Sequence, residues 1–363
     1  MAKKNEFATK IGLVAATVGS AIGLGNVWRF PAETQENGGA AFLLLYVACV
    51  FILGVPVMLG EFVLGRGGRR DSVGVYKRLS PGTGWWIVGA LGIIASYLIT
   101  IFYMVVAGWT LEYLVQSFTG TLYPSGVRDI SHRHFSAVME SSISGWWKPL
   151  AATATVIILN IFILLRGVQK GIERLSNVLM PLLFLILIGL FIVAMTLPGA
   201  NAGLEFFLKP DFSKITPEVV VNALGQTFFS LSLGMGILVT YASYYPIDTN
   251  LPKTSITVAL LSLMVALLMG ALIFPAVMTF GLQGENMHGA TLIFMTLPEV
   301  FGQMYLPWLW SGLFFLLLLV AAITSTVSIA EVSIAFLIDQ FGMSGRKGVL
   351  ITLLPMLVLR PIC

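Results

Sequence analysis

Charge is scarce in this sequence. Asp, Glu, Lys and Arg together supply 10% of the 363 residues while 57% are hydrophobic, so a water-soluble fold would have too little polar surface to cover its core. Cysteine is nearly absent: Cys49 lies in an apolar run and Cys363 is the last residue, which excludes a disulfide framework and a thiolate metal site. Histidine is almost as rare, with His132 and His134 in one loop and His288 in another. H-E-x-x-H, G-x-S-x-G and paired carboxylates within apolar runs are all missing, which leaves an intramembrane enzyme without a catalytic set. The net charge of +4 is accounted for by the loops described below and is no nucleic-acid footprint.

What is abundant is apolar sequence in long runs, such as "FLLLYVACVFILGVPVML", "VLMPLLFLILIGLFIVAM" and "VALLSLMVALLMGALIF". Each is near the ~20 residues that cross a bilayer as a helix. The pattern predicts eight spans, at roughly 11–35, 40–65, 85–118, 149–165, 174–196, 218–245, 252–282 and 307–340, with an incomplete ninth near 347–360. An all-α integral membrane protein follows. The opening "MAKKNEFATK" is too short and polar for a signal peptide, and no cleavage site follows the first apolar run, so that run is expected to be kept.

With eight spans, one side collects Lys3, Lys4, Lys10, Arg66, Arg69, Arg70, Lys77, Arg78, Arg166, Lys170, Arg174, Lys253, Arg346 and Lys347, and the other only Arg128, Arg133, Lys148, Lys209 and Lys214. The excess of cations predicts a cytoplasmic N-terminus in a multi-pass protein of the cell (inner or plasma) membrane. The oligomeric state is left open.

The informative positions are those a lipid-facing or packing helix would not choose. "SAIGLGNVWRFP", residues 20–31, places Gly23, Gly25, Asn26, Arg29 and Pro31 within the first span. A helix unwound there frees backbone groups that hydrocarbon cannot satisfy and an ion or a substrate can. "FSLSLGMG" interrupts the sixth span with Ser230, Ser232, Gly234 and Gly236. Small-xxx-small packing also accounts for that spacing, but paired breaks five helices apart point to an inverted-repeat transporter site. "AAITSTVS" in the eighth span aligns Ala321, Thr324 and Ser325 on about one turn; the hydroxyls either back-bond to the helix or join freed carbonyls as oxygen ligands of a small cation. Tyr103 is either a packing aromatic or a donor to an anionic group. Glu61, near the inner end of the second span, is expected to brace unwound backbone.

"GSAIGLGNVWRFP", "NGGAAFLLLY", "GEFVLGR", "FFSLSLGMG", "TYASY" and "AAITSTVS" resemble the neurotransmitter:sodium symporter family, most closely its bacterial amino-acid transporters, over about residues 7–345. The resemblance implies a single transporter domain over 1–363 with an inverted five-helix repeat and broken helices 1 and 6. Residues 11–197 would form the first repeat and 218–363 an incomplete second one. It implies a sodium-coupled symporter that imports a small amino acid by alternating access, with two Na+ sites. One would use the Gly19, Ile22 and Ala321 carbonyls with the Thr324 and Ser325 hydroxyls. The other would use the Ala21 carbonyl, Asn26, Ser230, Ser262 and the substrate carboxylate. Ser230 and Ser262 stand where relatives often carry longer oxygen donors.

The substrate carboxylate would meet the Leu24–Gly25 backbone and the Tyr103 hydroxyl, and its side chain would face Ile99, Phe229, Ser232, Met235, Ser325 and Ile329. Monoamine-type relatives carry Asp at the position of Gly23, so an apolar or aromatic amino acid with its own carboxylate is expected. Chloride near Tyr46, Gln226, Ser230 and Ser262 would replace the acid that chloride-independent relatives place at Ser262 or Ala266. Arg29 would belong to an outer gate whose acid comes from a tenth helix. This chain's 363 residues carry no tenth span, so the expectation is a C-terminally truncated symporter whose Arg29 lacks that partner. A non-transporting fragment of such a symporter is the alternative.

Overall fold

The computed structural model describes residues 6–124, 132–145, 147–281 and 289–359, and among them every regular element is a helix. Lys3, Lys4, Arg128, His288, Arg360 and Cys363 lie outside the described residues. α1 (Lys10–Ala21) and α2 (Gly25–Glu36) form a pair bent by 50°, followed by α3 (Ala40–Gly68), α4 (Ser72–Leu79) and α5 (Trp86–Thr119). α6 (His132–Ser144), α7 (Lys148–Leu164), α8 (Val168–Met195) and α9 (Ala200–Leu208) come next. α10 (Pro217–Ser230) and α11 (Ile237–Ala242) flank a second break, and α12 (Leu251–Phe280), α13 (Gly289–Gly302), α14 (Pro307–Phe341) and α15 (Gly345–Leu353) complete the bundle.

Among the described residues five helices, α3, α5, α8, α12 and α14, are each long and apolar enough to cross a membrane alone, and bent pairs raise the count to as many as seven. The protein is therefore a multi-pass membrane protein. α14 is the central column: 83% of its most apolar window is buried inside the protein, against 33% for α3 and α8, whose outward apolar faces meet lipid. α1, α5, α8 and α11 pack around α14, so the broken segments are held against its "AAITSTVS" face.

Most expected spans coincide with helices, but four short ones have no counterpart in the hydropathy reading: α4, α6, α9 and α13. Each is shorter than the ~20-residue spanning window, which averages it with its neighbours. His134 accordingly stands on a helix rather than in a loop, with Nε2 3.2 Å from the Leu122 carbonyl.

The loops assigned by charge to one side do meet at one end of the bundle. Glu173 accepts from Ala8 N–H at 2.8 Å, Thr9 N–H at 3.0 Å and the Thr9 hydroxyl at 2.7 Å. Lys10 pairs with Asp248 at 3.2 Å, Arg69 pairs with Glu6, and Arg66 donates to the Thr249 carbonyl at 2.7 Å. Asp71 caps α4 by accepting from Val73 and Gly74 N–H, accepts from Gln340 Nε2 at 2.6 Å, and donates its own N–H to Asp339 at 2.7 Å. Burial pushes the Asp71 carboxyl above its ordinary value, with the Asp339 charge acting in the same direction. Asp71→Ala is expected to cost about 1–2 kcal/mol through the lost cap, whereas Asp71→Asn, an equally good cap without the charge, should unfold near the wild-type temperature in detergent.

Candidate functional site

The first break arises where the chain has no side chains to fill a helix groove and the neighbours crowd in. Ile22 leaves the helical region at φ −88°, ψ 94°. A Cβ at Gly23 would run into the Ser325 hydroxyl, and one at Gly25 would stand 2.7 Å from the Phe229 ring. Glycine at both positions lets α14 and α10 approach the backbone itself. Gly25–Arg29 then resumes the helix as one wide, π-helical turn that opens α2, a geometry common at functional sites.

The second break is set by backbone in the left-handed region, with Ser232 at φ 57°, Gly234 at 77° and Gly236 at 72°. A non-glycine residue there carries strain that the surroundings must hold in place. Three contacts do so. The Ser232 hydroxyl donates to the Ser20 carbonyl at 2.9 Å, the Ser72 hydroxyl donates to the Gly236 carbonyl at 3.1 Å, and Glu61 Oε1 accepts from Gly234 N–H at 2.7 Å. Glu61 thus touches the unwound backbone, while its Oε2 is buried without a partner.

Between the two breaks lies a small cavity of about 10 Å³ of free space, lined by Ser20, Ala21, Gly23, Gly25, Ile99, Tyr103, Phe229, Ser232, Met235, Ser325 and Ile329. Every expected substrate contact except Leu24, which is buried beside it, lines this cavity. Ser20, Ala21 and Gly23 were not expected on the wall. Ser20 joins it because its carbonyl is drawn in by Ser232, a pairing no spacing rule reveals. Free space of this size admits about one water, so any larger occupant needs Phe229 or Met235 to move. Phe229 closes one side, tilted at 46° against Tyr103 with 6.3 Å between ring centroids and with the Arg29 guanidinium 5.0 Å from its own ring centroid.

Polar atoms cluster on both flanks of the first break. Asn26 Nδ2 donates to the Ser262 hydroxyl at 2.8 Å and carbonyl at 3.1 Å, and its Oδ1 is buried with no partner among the described residues. The Ser262 hydroxyl lies 3.4 Å from the Ser230 carbonyl, and the Ser230 hydroxyl is 2.9 Å from Tyr46 OH. Gln226 Nε2 donates to the Gly25 carbonyl at 3.0 Å, so this side chain ties α10 to the break, and its Oε1 is buried without a partner. Sequence reading placed Gln226 beside an anion but missed that brace.

On the other flank, a Cβ at Gly19 would stand 3.4 Å from Thr324 Cβ, so the two residues face each other. The Thr324 hydroxyl donates to the Val320 and Ala321 carbonyls, each at 3.1 Å. Back-bonding uses only the proton, so the oxygen lone pairs stay free to accept or ligate. The Ser325 hydroxyl is buried beside Gly23 without a partner among the described residues.

Arg29 is not left uncompensated. Its Nε pairs with Glu33 Oε1 at 3.0 Å one turn along α2, Asn37 Nδ2 donates to Glu33 Oε2 at 3.1 Å, and Asn222 Nδ2 donates to Asn37 Oδ1 at 2.8 Å. This acid lies four residues away on the same helix, close enough to pair, and is distinct from the tenth-helix gate acid that the resemblance implies.

Comparison with known proteins follows the same lines. The sodium:neurotransmitter symporter family matches residues 4–132 and 125–360. The chain is 42% identical over 333 residues to the uncharacterized sodium-dependent transporter YhdH of Bacillus subtilis (strain 168), covering 92% of this chain and 72% of that protein. It is 38% identical over 359 residues to an uncharacterized sodium-dependent transporter of Haemophilus influenzae, covering 97% and 78%. The crystal structure of MhsT in complex with L-phenylalanine superposes with a TM-score of 0.90 at 40% identity, covering 99% of this chain and 80% of MhsT. With its broken helices, its cavity and these matches in agreement, the chain belongs to the sodium:neurotransmitter symporter family, a family of transporters rather than enzymes.

Proposed function

We propose that this protein imports an apolar or aromatic amino acid, driven by sodium. The observation that carries the reading is the pair of buried, partnerless oxygens, Asn26 Oδ1 and Ser325 Oγ, on the two flanks of one helix break. Each costs roughly 1–3 kcal/mol while unsatisfied, and a cation beside each one relieves that cost. One Na+ would take the Gly19, Ile22 and Ala321 carbonyls with Thr324 and Ser325. The other would take the Ala21 carbonyl with Asn26, Ser230 and Ser262. The carboxylate of the amino acid would meet the backbone of Leu24 and Gly25 and the Tyr103 hydroxyl, next to the second ion.

The wall of Ile99, Phe229, Met235 and Ile329 supports an apolar side chain, and thioether and aromatic groups can repack around several shapes. The L-phenylalanine bound to MhsT supports the same class. Residues 11–197 and 218–363 would act as inverted halves, and the cation-rich end, with the N-terminus, would face the cytoplasm.

The test is sodium-gradient-driven uptake, and sodium-dependent binding, of labelled L-phenylalanine, L-leucine and glycine by the reconstituted 363-residue chain. Dependence on sodium with preference for the first two is expected; no sodium-dependent uptake or binding of any of them overturns the reading. Chloride is expected beside the Tyr46, Ser230 and Ser262 hydroxyls, where it would balance the two sodium charges. Uptake should then fall several-fold in gluconate buffer and become chloride-insensitive in Ser262→Glu; full-rate uptake by the wild type in gluconate would remove chloride from the mechanism.

A further inference from the structure

At the cation-rich end, α7, α8 and α14 leave a groove of about 410 Å³ open to the outside of the bundle. Its floor is apolar, with Phe162, Val178, Leu179 and Ile323, and Phe162 and Val178 are more than half exposed there. Its mouth carries three cations, Arg166, Lys170 and Arg174. The Arg166 guanidinium lies 4.0 Å above the Phe162 ring, which holds it over the groove.

Cations at this end are ordinary, because charge bias places them there in any multi-pass protein. Their grouping along one apolar groove is not. Lys10, Arg66, Arg69 and Arg78 each find an acid or a backbone carbonyl, whereas the side chains of Arg166, Lys170 and Arg174, like those of Arg70, Lys253, Arg346 and Lys347, have no ion-pair or hydrogen-bond partner among the described residues, and only the first three share a groove. The acid closest in sequence, Glu173, faces the opposite way and is spent on Ala8 and Thr9. Gly171 adds no side chain to the mouth, and a Cβ there would strike the Ile163 carbonyl, so the gap between the cations stays open.

We propose that this groove holds one anionic phospholipid, its phosphate against Arg166, Lys170 and Arg174 and an acyl chain along the Phe162–Val178–Ile323 floor. The charge is complementary, the floor is hydrocarbon-like, and the cations cluster at the turn where the apolar helices α7 and α8 meet. A basic pocket between spans at the cation-rich face is the general form of a lipid-headgroup site.

The experiment is native mass spectrometry of the 363-residue chain released from micelles holding equal phosphatidylglycerol and phosphatidylcholine. The wild type is expected to retain one phosphatidylglycerol in preference to phosphatidylcholine. Each cation at an anionic surface weighs roughly fivefold, so Arg166→Gln/Lys170→Gln/Arg174→Gln should weaken retention by about tenfold or more. Arg166→Lys/Arg174→Lys, which keeps the charge, should retain the lipid. Lys253→Gln/Arg346→Gln/Lys347→Gln, the same charge change away from the groove, should leave retention unaltered. Val178→Trp, which fills the floor from an exposed position, should lose it. Equal loss in the two triple variants would show bulk charge attraction and overturn the proposal. So would unchanged retention in the groove triple or in Val178→Trp, or displacement of the lipid by millimolar inorganic phosphate.

Discussion

Asn26→Leu is expected to abolish sodium-dependent amino-acid binding while the helix bundle stays assembled. The leucine repeats the branched four-atom skeleton of asparagine on a fully buried site, and its bulkier methyl groups add an overpacking cost of about 1–3 kcal/mol, which the bundle can absorb. Two hydrogen bonds to Ser262 disappear, and so does the partnerless Oδ1. Loss of a ligand to a charge, together with the donor that Asn26 supplies to the Ser262 hydroxyl and carbonyl, is worth roughly 3 kcal/mol or more, about a hundredfold in sodium affinity. Equilibrium binding of labelled L-phenylalanine across a sodium titration reads this directly. Asn26→Asp keeps an acceptor oxygen and should bind with weakened affinity rather than none. If Asn26→Leu bound with wild-type sodium dependence, the buried oxygen would have no part in ion binding.

How much of this could be read from residues alone differs between the two levels of structure. Span positions and both breaks were legible because they depend on local properties: long apolar runs, and glycine where a Cβ at Gly23 or Gly25 meets Ser325 or Phe229. The cavity wall was legible through resemblance, apart from Ser20, Ala21 and Gly23. The short helices α9 and α13 were not, since elements of this length carry no spanning signal.

Partner choice was the least legible feature. Arg29 finds Glu33 on its own helix, and Gln226 spends its amide on the Gly25 carbonyl. Both were read as parts of other sites. Sequence separation does not rank such partners, because a side chain of that length has several acceptors within reach and only the packed backbone decides among them.

Glu61→Ala is expected to lower both stability and substrate affinity, for one reason. The turn at Leu231–Gly236 departs from helix at three left-handed positions and has few bonds of its own, chiefly Leu233 N–H to the Phe228 carbonyl at 2.9 Å and Ser232 N–H to the Phe229 carbonyl at 3.3 Å. Removing the carboxylate leaves Gly234 N–H unpaired, at roughly 1–3 kcal/mol, and opens a gap where α3 meets the break. Glu61→Gln keeps an acceptor for Gly234 and is expected to fall between the two. Thermal unfolding in detergent should rank wild type, Glu61→Gln and Glu61→Ala in that order, and L-phenylalanine affinity should follow the same order with a wider spread. The spread is the discriminating feature. Met235 lies between Gly234 and Gly236 and forms part of the cavity wall, so a brace on Gly234 fixes that wall as well as the fold. Equal melting with unchanged affinity in Glu61→Ala would leave the second break held by Ser232 and Ser72 alone, and would make the carboxylate a bystander to the site it touches.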